Sequence, residues 1–122
     1  MADKAKVRQL KIKTGSLRRN MKDYTSYKKE EAQLQAKVEK MKDEGKDEYD
    51  IKKMQEQVQE TTETLLQCKP RIENAIDDLE NLIATYEEDQ GEMLNILKET
   101  TEWQQAEATI AEAKAFVDTI EL

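Results

Sequence analysis

Residues 51–86 read IKKMQEQVQETTETLLQCKPRIENAIDDLENLIATY, and this stretch decides the fold. Small and apolar side chains recur along it in alternating steps of three and four: Ile51, Met54, Val58, Thr61, Leu65, Cys68, Ile72, Ala75, Leu79, Leu82 and Tyr86. This spacing is the a and d seam of a heptad repeat, which is typical of a coiled-coil helix. Ile76 and Ile83 occupy e positions and widen the seam, as expected for a helix packed against two neighbours.

Two glycines within polar runs, Gly45 and Gly91, mark breaks that divide the chain into three stretches, because glycine commonly terminates a helix in the left-handed conformation. The chain is therefore predicted to be one domain, residues 1–122, with helices over roughly 4–43, 47–88 and 92–121. Asp47 is the predicted N-cap of the second helix.

Short links force consecutive helices to pack antiparallel. We therefore predict an all-α fold: a three-helix antiparallel bundle, running up-down-up, with the left-handed coiled-coil packing of spectrin-like repeats. The third helix is the shortest, so the hairpin end of the first two helices, around residues 31–56, is expected to be thinly covered.

Composition excludes several function classes. The 122 residues are 37% hydrophobic and 39% charged, and no apolar run approaches the ~20 residues of a membrane span. With no histidine and one cysteine, neither a Ser-His-Asp nor a Cys-His nucleophile system can form, nor a Cys/His zinc site. We expect no enzyme activity, cofactor, metal, small-molecule substrate or membrane partner. The lone cysteine and the absence of a secretory signal in MADKAKVRQL predict a cytoplasmic protein.

Charge is divided unevenly along the chain. Residues 1–42 carry 13 basic and 5 acidic side chains, while the whole chain has a net charge of −7. Antiparallel packing would place the basic start of the first helix beside the acidic end of the second, so that each neutralises the other. Alternatively, part of the basic face remains free for an acidic protein partner. Nucleic acid is disfavoured, because the net charge repels phosphate and no aromatic residue interleaves the basic run.

Four single residues carry specific expectations. Cys68 and Trp103 occupy seam positions and are predicted to be buried in the core. Pro70 should bend the second helix, either to wrap it around the bundle or to shape a concave recognition face. Gly15 either permits a close approach of another backbone or marks the true start of the first helix.

Three segments closely resemble the tubulin-binding cofactor A family: VRQLKIKTGSLRR (7–19), YDIKK (49–53) and CKPRIENAIDDL (68–79). The final stretch, EAKAFVDTIEL (112–122), is similar to that family's C-terminal helix. Members of the family carry their proline four positions before the place of Pro70, and the segment from 87 to 104 is longer here than in the family.

The resemblance implies a three-helix bundle that acts as a cytosolic, cytoskeleton-associated chaperone. Such a protein captures β-tubulin after its release from the chaperonin and, without using nucleotide, holds it for later tubulin-folding cofactors. These cofactors are the other partners that the resemblance implies. The contact candidates carried over from the motifs are Lys11, Lys13, Thr14, Arg18, Arg19, Tyr49, Asp50, Lys52 and Lys53. The rival hypothesis is a structural coiled-coil adaptor that dimerises through its open seam and tethers two proteins.

Overall fold

The computed structural model describes residues 2–89 and 91–121. The two ends of the predicted 1–122 domain, and Gln90 in the predicted second turn, lie outside the described residues. All regular secondary structure of the described residues is helical, in the order α1 (Lys4–Asp43), α2 (Glu48–Glu87), α3 (Glu92–Lys98) and α4 (Thr101–Asp118). The predicted all-α fold is confirmed, and the bounds of the first two helices agree with prediction to within one residue.

The prediction of one continuous helix over 92–121 is wrong, because the chain leaves the helical conformation at Thr100 (φ −69°, ψ 149°). The Thr100 hydroxyl donates to the carbonyl oxygen of Leu97 at 2.6 Å and accepts from the backbone N–H of Trp103 at 3.2 Å. A short polar side chain that bonds its own backbone favours a helix start over a helix interior. The described residues therefore form four helices, with Thr100 ending α3 and beginning α4.

Contacts between helices fix their directions. Lys6 pairs with Asp89, and Glu31 pairs with Thr62, so positions that rise along α1 meet positions that fall along α2. These two helices are antiparallel. Phe116, near the end of α4, packs edge-on against Tyr24 of α1 with ring centroids 5.5 Å apart. Since α4 begins beyond the end of α2, it runs alongside the first half of α1 in the same direction.

The core follows the heptad seam. Each residue that the structure shows as buried in α2 lies on the predicted seam or at Ile76 and Ile83, the predicted e positions. Trp103 is 2% exposed, and its indole N–H donates to Glu107 at 2.7 Å. Cys68 is buried too, and desolvation raises the pKa of its thiol. Both residues are core residues, as predicted.

Two helices alone form the hairpin end of the molecule. Across residues 27–58, Val38 is the one buried side chain, because α4 ends at Asp118 and does not reach this far. The Glu31 carboxylate occupies a seam position at 12% exposure and accepts a hydrogen bond from the Thr62 hydroxyl at 2.6 Å. The expected thin cover is confirmed, and we call residues 27–58 the two-helix arm.

The turn between α1 and α2 depends on Gly45, whose φ is +65°. The N–H groups of Gly45 and Lys46 donate to the carbonyl oxygens of Lys42 and Met41, at 3.1 and 3.0 Å. This is the Schellman arrangement, which satisfies carbonyls that would otherwise lack partners at the helix end. Asp47 then accepts a backbone N–H of the next helix at 3.1 Å, so the predicted N-cap is confirmed.

Gly15 has neither of its two expected roles. It lies in the interior of α1, which begins at Lys4, so it does not mark the helix start. A Cβ built on Gly15 meets no heavy atom within 4 Å, so no other backbone approaches it closely. In the interior of a helix such a glycine costs about 1 kcal/mol relative to alanine.

Gly15 and Gly45 give a matched pair of substitutions, since at neither position does a new Cβ have a heavy atom within 4 Å. We expect Gly15→Ala to raise the free energy of unfolding by about 0.5–1 kcal/mol, because it removes backbone freedom from the unfolded chain. Gly45→Ala should lower it by about 1–2 kcal/mol, because its φ is positive. Urea denaturation followed by circular dichroism measures both, and changes of equal sign would contradict the backbone argument.

Candidate partner-binding surface

The sequence-predicted contact residues fall into two groups at different places on the molecule. Residues 11–19 lie in the first half of α1, whereas residues 49–53 form the first turns of α2 at the tip of the two-helix arm. At 1.5 Å rise per residue the two groups are about 30–50 Å apart along the helices. The structure does not bring them into one site, so a partner that contacts both must be at least the size of a small domain.

The first group is mostly exposed. Lys11, Arg18 and Arg19 project into solvent, and Lys13 is half-buried. Thr14 is 3% exposed and lies in the interface between helices, so its hydroxyl cannot reach a partner. Thr14 is therefore a core residue of α1, and the contact candidates of this group are the four cations.

The second group surrounds an exposed aromatic ring. Tyr49 is 63% exposed, and the Lys53 ammonium lies 5.4 Å from its ring centroid, within cation–π distance. Asp50 and Lys52 are exposed beside it. Since the Tyr49 side chain packs into no core, it does not anchor the turn between the helices. A solvent-facing ring beside two lysines is instead suited to contact another protein.

At the basic start of α1, Lys6 is the cation that is paired with a carboxylate at the end of α2. The Lys6 ammonium lies 3.4 Å from the Asp89 carboxylate and 5.3 Å from the ring centroid of Tyr86. Burial raises the pKa of the Tyr86 hydroxyl, and the charge of Lys6 opposes that rise. The acidic end of α2 gains a second cation from α3, since Lys98 lies 3.7 Å from Glu87.

Other cations of this region keep their charge unpaired. Within residues 2–89 and 91–121, neither Lys11, Arg18 nor Arg19 has a carboxylate oxygen within 4.0 Å. The same holds for Arg8 and Lys22, which are exposed on the same flank of α1 and were not among the predicted contact residues. Arg8 lies three residues before Lys11, and Lys22 lies four residues after Arg18. Residues at this spacing share a helix face, so the sequence could have identified both cations.

The described residues also limit other functions. Among residues 2–89 and 91–121, no three Cys, Asp or Glu side chains come together in a way that could hold a metal ion. No helix in the described ranges is both long and apolar enough to cross a membrane. Open grooves lie on the two-helix arm, one of about 330 Å³ between Val38 and Val58 and one of about 580 Å³ beside Lys37 and Met41.

These features define a small, all-helical rod with an exposed basic flank and an arm of two helices. A family model described as "Tubulin binding cofactor A" matches residues 5–115. The chain belongs to this family, which confirms the resemblance found in its motifs.

Individual relatives agree along nearly the whole chain. "Tubulin-specific chaperone A" of Mus musculus is 39% identical over 114 residues, which cover 93% of this chain and 97% of the mouse protein. "Tubulin-folding cofactor A" of Arabidopsis thaliana is 36% identical over 110 residues, which cover 90% and 92% of the two chains.

Solved structures show the same fold. The crystal structure of tubulin folding cofactor A from Arabidopsis thaliana superposes with a TM-score of 0.75 at 34% identity, covering 93% of this chain and 99% of the plant chain. The human tubulin chaperone cofactor A structure has a TM-score of 0.67 at 36% identity, covering 89% and 98%.

The burial of Thr14 predicts the effect of removing its hydroxyl. Its Oγ1 has no hydrogen-bond partner among the described residues, so Thr14→Val removes an unsatisfied polar group from the core. We expect the free energy of unfolding to rise by about 1 kcal/mol in urea denaturation.

Thr62→Val is the matched control, because the Thr62 hydroxyl donates to Glu31 Oε2 at 2.6 Å and its loss removes that hydrogen bond from a mostly buried carboxylate, which keeps Lys28 at 3.5 Å. We expect this variant to lose stability by about 1–3 kcal/mol. A destabilised Thr14→Val protein would show that the Thr14 hydroxyl is satisfied in solution.

Proposed function

We propose that this protein is a chaperone of the tubulin-folding route, which binds β-tubulin folding intermediates in the cytoplasm after their release from the chaperonin. The observation that carries this proposal is the match to relatives named for tubulin chaperones along almost the full length of both chains. Those names favour a chaperone over a dimerising adaptor. The association with the cytoskeleton follows from the proposed partner.

The proposed mechanism is stoichiometric holding by the outer surface of the helices. Lys11, Lys13, Arg18 and Arg19 would contact the partner at one end, and the exposed 49–53 segment would contact it at the other. A bound intermediate is removed from the aggregating pool by mass action. Neither a nucleotide nor a catalytic group is needed for this, so we propose that the protein is not an enzyme.

The architecture proposed for this function is an up-down-up bundle of α1, α2 and α4, with left-handed coiled-coil packing and α3 as a short added helix. The burial of the heptad seam supports it. The part of the rod formed by all three helices keeps the contact residues of α1 rigid, so little conformational entropy is lost there when a partner docks.

The capture of β-tubulin is tested with purified components. Chaperonin-released β-tubulin is mixed with this protein after nucleotide has been removed by apyrase, and native gel electrophoresis and light scattering follow the products. We expect a discrete complex of the two proteins and slower aggregation, because the bound form is withdrawn from association. A helical protein of similar charge serves as control. Equal aggregation with and without this protein would contradict the proposal.

The separation of the two contact groups predicts how their substitutions combine. We expect Lys11→Gln with Arg18→Gln, and separately Lys52→Gln with Lys53→Gln, each to weaken β-tubulin binding roughly three- to tenfold and to reduce its salt dependence. Since the groups lie about 30–50 Å apart, the combined variant should show the product of the two effects to within about twofold.

Titration of labelled β-tubulin measures each dissociation constant, and circular dichroism verifies that helix content is kept. If changing Lys52 and Lys53 leaves the affinity for β-tubulin unchanged, the tip of the two-helix arm is not part of the contact surface. Strong non-additivity would contradict two independent contacts.

A further inference from the structure

One flank of α1 carries a row of exposed cations along most of its length. At 100° per residue, a sector about 100° wide along the helix holds a set that we call the basic stripe. Every member is exposed in the structure. The basic stripe consists of Lys4, Arg8, Lys11, Arg18, Arg19, Lys22, Lys29, Lys37 and Lys40.

The spacing of the stripe is that of a helix face. The positions of the sector recur every three or four residues along α1, with Arg18 and Arg19 adjacent within it. The positions that carry no cation hold uncharged residues: Gly15, Ser26, Gln33 and Ala36. None of the carboxylates of α1 falls within the sector. The motifs that identify the family cover four of the nine cations, so the stripe extends well beyond the motif residues.

Ion pairing distinguishes the stripe from the rest of α1. Off the stripe, Lys6, Lys28 and Lys42 each lie within 4 Å of a carboxylate, at 3.4, 3.5 and 3.8 Å, and Lys13 is the exception. On the stripe, Lys40 alone reaches a carboxylate among the described residues, at 3.9 Å. Like charges three or four residues apart repel each other by a few tenths of a kcal/mol per pair. The stripe therefore carries positive charge that the described fold does not neutralise.

Neighbouring elements leave this charge accessible. Glu112 of α4 shares a groove of about 330 Å³ with Arg18 and Lys22, but among the described residues it lies within 4.0 Å of neither cation. Farther along, Glu44 lines the open groove of about 580 Å³ on the two-helix arm with Lys37 and Lys40, and its carboxylate lies 3.9 Å from the Lys40 ammonium.

We propose that the basic stripe is a docking surface for an acidic polypeptide segment of a partner protein. The stripe spans about 54 Å, which matches an extended segment of about 16 residues. A protein with a net charge of −7 attracts such a segment locally, because charges beyond a Debye length of about 8 Å are screened at physiological salt. The stripe has no aromatic side chain on which nucleic-acid bases would stack, which favours a polypeptide over RNA or DNA.

The stripe is inferred from the charges of this chain, whereas the source of the acidic segment rests on the proposed function, in which it belongs to β-tubulin.

The probe for the stripe itself is a fluorescent synthetic peptide of about 16 residues, rich in glutamate, whose binding is followed by anisotropy at about 50 to 200 mM salt. Two full-length variants with the same change in charge are compared. The stripe variant changes Lys11, Lys22, Lys29 and Lys37 to Gln, and the control variant changes Lys28, Lys42, Lys98 and Lys114 to Gln.

We expect the stripe variant to bind the peptide at least roughly tenfold more weakly, with a shallower salt dependence, and the control variant to differ by less than about twofold from the unchanged protein. Circular dichroism should show equal helix content in all three. If the quadruple variant loses helix, the double variant Lys22→Gln with Lys29→Gln is used, for which about threefold weaker binding is expected.

Equal weakening by both variants would overturn the inference, since net charge alone would then explain binding. So would an absence of saturable peptide binding, or tighter binding of single-stranded DNA with the same number of charges.

β-Tubulin capture separates the two proposals. Peptide binding without β-tubulin capture would overturn the proposed function and support the stripe, whereas full capture by the stripe variant would overturn the stripe as the site of that contact.

Discussion

The heptad seam of α2 is the interaction on which the rest of this structure depends. Its residues lie against α1 along most of their length, and from Ile72 onward they also lie against α4. Because the side chains of a seam interdigitate, the register of one helix fixes the register of its neighbours. This register sets Lys6 opposite Asp89 and Glu31 opposite Thr62. The directions in which all outward side chains point follow from it.

Burial is concentrated at one end of the molecule, and this has consequences for function. Three long helices share the core around Leu17, Leu79 and Trp103, whereas the two-helix arm has Val38 as its buried residue. Local openings are therefore expected in the arm before they occur in the core, since few apolar contacts oppose them there. The segment containing Tyr49 lies at the tip of this less covered part, whereas residues 11–19 lie on the well-packed part.

Charge on α1 has two roles that the helix separates by position. Lys6, Lys28 and Lys42 lie within reach of carboxylates and take part in the structure, although exposed pairs of this kind contribute little to stability. The cations of the basic stripe lie on the outer flank, where the described fold supplies almost no counter-charge. Among the described residues, α1 thus has one face on which most cations are paired and one on which most are unpaired.

The sequence by itself determined the helical class, the α1 and α2 bounds, the turn at Gly45, the cap at Asp47 and the seam, because periodicity and glycine chemistry act locally. Its motifs also identified the family. Only the tertiary structure decided that Thr14 is core while Lys11 is surface, since adjacent motif residues point in different directions around a helix. It also decided the break at Thr100, where one hydroxyl bonds both helix ends, and the unpaired state of the stripe. Pairing between a cation of α1 and a carboxylate of another helix depends on distances between helices, which no local pattern contains.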